Sequence, residues 1–217
     1  MKYYCFFLLF ILCQDIQSQI FFQSEVNKIQ ERYKDQINDD INYVVFTGSS
    51  SIRMWEDLPI LFDNPKILNT GFGGSKASDL LYYIKELVLD FNPCKVVIYE
   101  GDNDISSGHK ISFILKNIKQ IIKKIREKNN NAQIILISAK PSIMRWDLRK
   151  KYIQLNNKYK NLAVKKQYIH FADTWTQMLD KGRLKTDIFI EDGLHLNKKG
   201  YKIWEVVLKS ILKERIN

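Results

Sequence analysis

The chain has 217 residues, of which 45% are hydrophobic and 27% are charged. This is ordinary globular composition, sufficient for one α/β domain with its own core, and there is no low-complexity tract or internal repeat. The net charge of +10 would suit a nucleic acid, an anionic polymer or a membrane surface. Because the lysines are scattered over predicted helix faces and no base-stacking or groove-reading motif accompanies them, we expect solvated helices and no nucleic-acid partner.

The first 18 residues differ from the rest of the chain. Lys2 precedes an apolar run from Tyr3 to Cys13 that is too short to span a bilayer comfortably, and a polar segment follows it. The pattern predicts a signal peptide over residues 1–18, and therefore a secreted or periplasmic protein without stable membrane insertion after cleavage. A lipoprotein attached at Cys13 and an uncleaved membrane anchor are the alternatives. Cleavage would leave Cys94 as the single cysteine, which excludes an internal disulfide.

An amphipathic helix is predicted at about 22–37, within an N-terminal helical extension of residues 19–41. From residue 42 to residue 217, short strands rich in Val and Ile alternate with helical patterns, as buried parallel strands do. The predicted strands are 43–47, 66–69, 95–100, 133–138 and 168–172, and the predicted helices are 77–91, 112–129, 148–165 and 198–216. This alternation predicts an α/β domain, a three-layer αβα sandwich around a five-stranded parallel sheet.

Residues with catalytic potential follow the carboxyl ends of the predicted strands, where α/β sheets place their sites. Ser50 follows the first strand, Gly74 the second and Asn103 the third, while Asp192 and His195 come after the fifth. A nucleophilic serine needs a base to take its proton, and the base needs a carboxylate to fix its tautomer. The set therefore predicts a Ser-His-Asp hydrolase with its site at this edge of the sheet.

Four short motifs occur in this order: Gly48-Ser49-Ser50-Ser51, Gly71-Phe72-Gly73-Gly74, Gly101-Asp102-Asn103-Asp104 and Asp192-Gly193-Leu194-His195. They resemble the sequence blocks of the SGNH, or GDSL-type, hydrolase family over about residues 43–212. Within it the chain is most similar to the Gly-Ser-Ser-Ser subgroup and to small platelet-activating-factor acetylhydrolase-like members. Ser49 stands where the family has Asp.

The resemblance implies a flavodoxin-like sheet and ester hydrolysis without a metal or other cofactor. It implies that Ser50, Asp192 and His195 form the catalytic triad. The oxyanion hole would consist of the backbone N–H groups of Ser50 and Gly74 and the side-chain amide of Asn103. It does not specify which ester is the substrate, and the sequence does not indicate an oligomeric state.

Each motif also has a structural interpretation. The serines could cap a helix, the glycines could form a flexible turn, and Asn103 could lie in an Asx turn. Asp102 and Asp104 could belong to a calcium loop, although further ligands are absent, and the Asp-x-x-His spacing could suit a metal.

The segment 140–146 follows the fourth predicted strand and is predicted to overhang the site at this edge of the sheet. In this segment, Lys140 and Arg145 could hold an anionic or sugar-bearing substrate, and Trp146 could stack on the substrate or anchor the loop in the core. His109, in the polar loop after Asn103, could also contact the substrate. We therefore predict a secreted serine esterase acting on short acyl groups, such as O-acetyl groups on carbohydrate. The alternatives are a lysophospholipase of the same family and a non-catalytic carbohydrate- or phosphate-binding module.

Overall fold

A parallel five-stranded sheet organises the chain, in the strand order β2-β1-β3-β4-β5. The computed structural model describes residues 21–38, 41–64 and 66–213, so the predicted signal peptide lies outside the described residues. The strands are β1 (Val44–Gly48), β2 (Ile67–Asn69), β3 (Lys95–Tyr99), β4 (Gln133–Ile137) and β5 (Ile169–Ala172). Each agrees with a predicted strand to within one residue at either end. All four neighbouring pairs are parallel.

Helices cover both faces of this sheet, which gives the predicted three-layer sandwich. They are α1 (residues 21–33), α2 (Ser50–Arg53), α3 (Leu58–Leu61), α4 (Ala77–Tyr82), α5 (Ile84–Leu87), α6 (Asp102–Ser106), α7 (Ile111–Lys128), α8 (Arg149–Lys165), α9 (Thr174–Gln177) and α10 (Lys198–Lys213). A short antiparallel hairpin, β6 (Leu179–Asp180) and β7 (Arg183–Leu184), follows α9. None of the described helices is long and apolar enough to cross a membrane.

The helix predicted at 77–91 is divided into α4, α5 and a 3₁₀ turn at Leu89–Phe91. The breaks fall at Tyr83 and Val88, whose side chains are buried in the core. Packing against the sheet therefore overrides the continuous helical pattern of the sequence.

Alternate residues of the strands enter two separate cores. Val45, Val96 and Ile134 point into one core, where they meet α1, α4, α5, α7 and α8. Phe46, Val97 and Ile135 point into the other, with α2, α3 and α10. Because α1 contributes Phe22 and other buried side chains to the first core, it is part of the folded domain.

The register of the sheet places the carboxyl ends of β1 and β3 side by side. Gly48, the last residue of β1, is paired with Tyr99, the last residue of β3. The segments that leave these two strands therefore begin side by side, with Ser50 opening α2 and Asp102 opening α6.

Candidate active site

The first motif forms a sharp turn between β1 and α2. Gly48 has φ +122°, and a Cβ on it would lie 2.0 Å from the carbonyl oxygen of Tyr99, so only glycine fits there. Ser49 and Ser51 are each 2% exposed, whereas Ser50 is only partly buried. Of the three serines, Ser50 is therefore the most accessible to solvent.

Ser50, His195 and Asp192 form a hydrogen-bonded chain. The Oγ atom of Ser50 lies 2.9 Å from Nε2 of His195, and Nδ1 of His195 lies 2.5 Å from Oδ2 of Asp192. The residues on either side of the imidazole thus match the roles of a nucleophile and an orienting carboxylate.

The carboxylate of Asp192 is held by the backbone of its own loop. Its Oδ1 atom accepts the N–H groups of Leu194 and His195 at 2.8 and 2.9 Å. Burial raises the pKa of Asp192, but the hydrogen bonds from the side chain and backbone of His195 and from the backbone of Leu194 outweigh it and lower the pKa to about 2. Asp192 is therefore ionised at neutral pH.

The second motif packs against α2, since a Cβ on Gly71 would lie 2.4 Å from the backbone nitrogen of Arg53. Gly74 has φ +78°, and a Cβ on it would meet nothing within 4 Å, so its glycine is required by backbone conformation and not by crowding. In the described part of the chain, the Gly74 N–H has no hydrogen-bond partner. Ser50 is the first residue of α2, where a helix leaves its N–H groups unpaired. Both groups are available as donors to an oxyanion.

The amide of Asn103 is fixed from both ends. Its Nδ2 atom donates to the carbonyl oxygen of Ser75 at 3.0 Å, and its Oδ1 atom accepts from Nη1 of Arg145 at 3.1 Å. An Nδ2 group carries two protons, so one remains for a ligand. Because Arg145 can only donate, it dictates which end of the amide is oxygen.

Asp102, adjacent to Asn103, is the buried centre of a hydrogen-bond network. Its carboxylate accepts from Tyr99, Tyr152, Lys140 and Arg145, with distances of 2.8, 2.7, 3.1 and 2.5 Å. Burial by itself raises the pKa of Asp102. The charges of Lys140 and Arg145 and the two tyrosine hydroxyls nevertheless hold it well below its ordinary value. This network was not predicted from the sequence, because Asp102 stood out only as a possible calcium ligand.

The segment 140–146, which was predicted to hold the substrate, makes several contacts within the protein. The Lys140 side chain is 0% exposed and ion-paired with Asp102, so it is not accessible to a substrate. This corrects the prediction that Lys140 holds a substrate. Arg145 is 16% exposed and donates to Asp102 and Asn103, while its predicted contact with a substrate stays a prediction. Trp146 is partly buried and stacks on Trp175 with ring centroids 6.4 Å apart, while its predicted contact with a substrate stays a prediction.

His109 lies beside the third motif. Its Nδ1 atom is 3.7 Å from Oδ1 of Asp104, and its ring packs edge-on against Phe113. About a third of its side chain is exposed. Its predicted contact with a substrate stays a prediction.

A buried carboxyl, Glu100, lies behind the second motif. Its Oε1 atom accepts the Ser75 hydroxyl at 2.7 Å, and the residue is 1% exposed. Burial and then the negative charge of Asp104 raise its pKa well above the ordinary value. Glu100 therefore retains its proton at pH values where an exposed glutamate has lost it.

Two charged residues near the second motif were not singled out in the sequence. Glu25 of α1 accepts the Gly73 N–H, and Arg53 of α2 lies beside Gly73 and 3.6 Å from Glu25. Arg53 follows Ser50 by one helical turn, which is a weak signal, and Glu25 precedes every motif, so nothing in the sequence indicated it.

Several solved structures share this fold. A protein from Streptococcus pneumonia provisionally described as a platelet activating factor has a TM-score of 0.76 and 24% identity, covering 93% of this chain and 98% of that one. A GDSL-like lipase from Bacteroides thetaiotaomicron has a TM-score of 0.74 and 22% identity, with coverages of 86% and 98%. A carbohydrate esterase family 3 protein from Talaromyces cellulolyticus has a TM-score of 0.65 and 17% identity, with coverages of 80% and 97%.

A curated relative is the N-acylneuraminate cytidylyltransferase of Escherichia coli O18:K1:H7 (strain RS218 / NMEC). It is 27% identical over 195 residues, which are 88% of this chain and 45% of the relative. The chain thus spans about half the length of this relative. The family model described as GDSL-like Lipase/Acylhydrolase family matches residues 43–203, which include Ser50, Gly74, Asn103, Asp192 and His195. The chain therefore belongs to the GDSL-like lipase/acylhydrolase family of ester-bond hydrolases.

Proposed function

We propose that this protein is a serine esterase that removes short acyl groups, such as acetyl, from carbohydrate. The observation that carries the proposal is the continuous contact from Ser50 Oγ through His195 to Asp192, at 2.9 and 2.5 Å. This is the arrangement that acyl transfer to a serine hydroxyl requires.

In the first half of the reaction, Ser50 Oγ attacks the ester carbonyl while Nε2 of His195 takes its proton. Asp192 holds the Nδ1 proton of His195 and stabilises the imidazolium as it forms. The N–H groups of Ser50 and Gly74 and the Nδ2 amide of Asn103 donate to the oxyanion of the tetrahedral intermediate. The imidazolium then protonates the departing alcohol, and Ser50 keeps the acyl group.

In the second half, His195 takes a proton from water, which attacks the acyl-enzyme. The same donors stabilise the second tetrahedral intermediate, and collapse releases the carboxylic acid and returns the proton to Ser50. Every step uses residues of this chain and water alone.

The substrate class rests on similar proteins. The Talaromyces cellulolyticus neighbour is named a carbohydrate esterase, and the Escherichia coli relative is named for N-acylneuraminate, an acidic sugar. An acylated sugar, including an acidic one, is therefore the substrate class we propose.

We also propose export through residues 1–18, which the intact mass of protein recovered outside the cytoplasm would test.

Purified wild type and Ser50→Ala should be compared on p-nitrophenyl acetate, butyrate and octanoate. Acetate release should then be measured from acetylated glycans and from an O-acetylated N-acylneuraminate. We expect Ser50-dependent turnover that falls with chain length and is greatest on an acetylated sugar. Preference for the octanoate ester would favour a lipid esterase, and turnover that survives in Ser50→Ala would overturn the mechanism.

A further inference from the structure

The N-terminal helix α1 contacts the segment from Asn69 to Gly73 at three points. Phe22 packs edge-on against Phe72 with ring centroids 5.1 Å apart, and both side chains are buried. Tyr33 accepts the backbone N–H of Asn69 through its hydroxyl at 3.0 Å. Between these two contacts, the Glu25 carboxylate accepts the Gly73 N–H with both oxygens, at 3.2 and 3.1 Å.

The contact at Gly73 bears directly on the neighbouring donor. Gly73 and Gly74 are consecutive glycines, and a Cβ at Gly74 would touch nothing, so side-chain packing does not hold this part of the turn. Glycine loses more conformational freedom on ordering than any other residue, so a contact from outside the turn helps to keep it in one conformation. A carboxylate that accepts a backbone N–H makes a strong, charge-assisted hydrogen bond.

The charge of Glu25 is offset locally. A carboxylate near a developing oxyanion would raise the energy of the transition state, because like charges repel. Arg53 Nη1 lies 3.6 Å from Glu25 Oε1, and Arg53 belongs to the helix that Ser50 opens. Glu25 therefore connects the oxyanion turn with the nucleophile's helix while its own charge is balanced.

We propose that Glu25 is a positioning residue that fixes the Gly73–Gly74 turn so that the Gly74 N–H meets the oxyanion. The helix α1 is thus part of the catalytic apparatus. This inference rests on the proposed function, because it assigns the Gly74 N–H to the oxyanion of ester hydrolysis.

The test compares Glu25→Ala with Glu25→Gln, which keeps an oxygen acceptor but removes the charge. Glu31→Ala is the matched control, since Glu31 lies on the same helix and its exposed carboxylate is paired with the exposed Lys34. Displacing a reacting group by about 1 Å can cost about 100-fold in rate. We expect Glu25→Ala to lower kcat by about 10- to 100-fold with little change in KM. Glu25→Gln should recover much of this loss, and Glu31→Ala should behave as wild type.

Two further measurements separate positioning from a general loss of structure. The affinity for a trifluoromethyl ketone, which forms a tetrahedral adduct on a serine, should fall in Glu25→Ala by the same factor as kcat/KM. Amide hydrogen exchange at residues 71–75 should accelerate in Glu25→Ala but not in Glu31→Ala, and this readout does not require activity. Wild-type exchange in Glu25→Ala, or a wild-type kcat in a folded Glu25→Ala enzyme, would overturn the proposal. Absence of Ser50-dependent turnover in the wild type would instead overturn the proposed function, with the exchange result still deciding whether Glu25 holds the turn.

Discussion

The Arg145 guanidinium holds the side-chain amide of Asn103 in one orientation, by donating to its Oδ1 atom at 3.1 Å. The Nδ2 group of Asn103 is thereby directed to the side of Ser75, whose carbonyl oxygen takes one of its protons at 3.0 Å. Since Arg145 is in turn fixed on the buried Asp102, the orientation of the Asn103 amide, our proposed oxyanion donor, depends on an ion pair in the interior.

Asn103→Ala should lower kcat much more than it changes KM. A neutral ester carbonyl is a modest acceptor and an oxyanion is a strong one, so the lost donor matters most in the transition state. Removal of one such donor typically costs about 10²–10³ in kcat. Steady-state kinetics with a circular dichroism spectrum should give a collapsed kcat in a folded protein. Asn103→Asp, of equal size, replaces the donor with a negative charge and should be at least as damaging. A wild-type kcat in Asn103→Ala would place the oxyanion hole elsewhere.

A fluorophosphonate should label Ser50 and neither of its neighbours. Ser50 Oγ contacts the base at 2.9 Å, whereas Ser49 and Ser51 are buried at 2% exposure each. Peptide mass spectrometry of the labelled protein identifies the serine. Ser50→Ala should abolish labelling and turnover, while Ser49→Ala and Ser51→Ala should retain both. Label on Ser49 or Ser51 would show that the nucleophile is not Ser50.

Asp192→Asn should reduce kcat severely, by about 10⁴ if the loss resembles that of other serine triads. The asparagine can keep the backbone hydrogen bonds made by Oδ1, so the loop should fold as before. Its amide would donate to Nδ1 of His195 and favour the tautomer that cannot accept the proton of Ser50. Kinetics together with a melting curve would check this, and turnover within tenfold of wild type would refute the role of Asp192.

Much of this arrangement could be predicted from the sequence, for a physical reason. The strands β1 to β5 are mostly apolar, and Gly, Ser and Asn occur in the segments that follow β1, β2 and β3. The position of Ser50, Gly74 and Asn103 at one sheet edge therefore follows from chain order. Asp192 and His195 are three residues apart, and their contact is local. By contrast, the burial of Lys140 depends on Asp102, 38 residues earlier, and the contact of Glu25 with Gly73 spans 48 residues. Such contacts depend on the three-dimensional placement of loops and helices, which no local pattern specifies.

Stability should respond to pH through Glu100. Its pKa is raised in the folded state, so above the ordinary glutamate pKa of about 4.3 the unfolded chain releases a proton that the folded chain keeps. Stability from this residue is therefore full below that pH and declines as the pH rises toward the raised value. Glu100→Gln keeps an oxygen to accept from Ser75 and removes the titration.

Thermal unfolding at about pH 4 and about pH 8 measures this effect. The melting temperature of Glu100→Gln relative to wild type should rise between the two pH values. Glu205 is the control with the opposite sign. Burial raises the pKa of Glu205, but Lys209 and Lys202 lower it overall, so Glu205→Gln should lose more stability at the higher pH. Parallel pH profiles for wild type and Glu100→Gln would show that Glu100 ionises normally.

The separation of the triad along the chain has a consequence for folding. Asp192 and His195 are joined within a single loop, but His195 and Ser50 are 145 residues apart. Closing so long a segment has a large entropic cost that is compensated only when the intervening sheet has assembled, and parallel sheets form slowly because their contacts are distant in sequence. The acid and base can thus be paired early, while the nucleophile meets them only when the strands between have their final order. We therefore expect catalysis to recover during refolding only after the sheet has assembled.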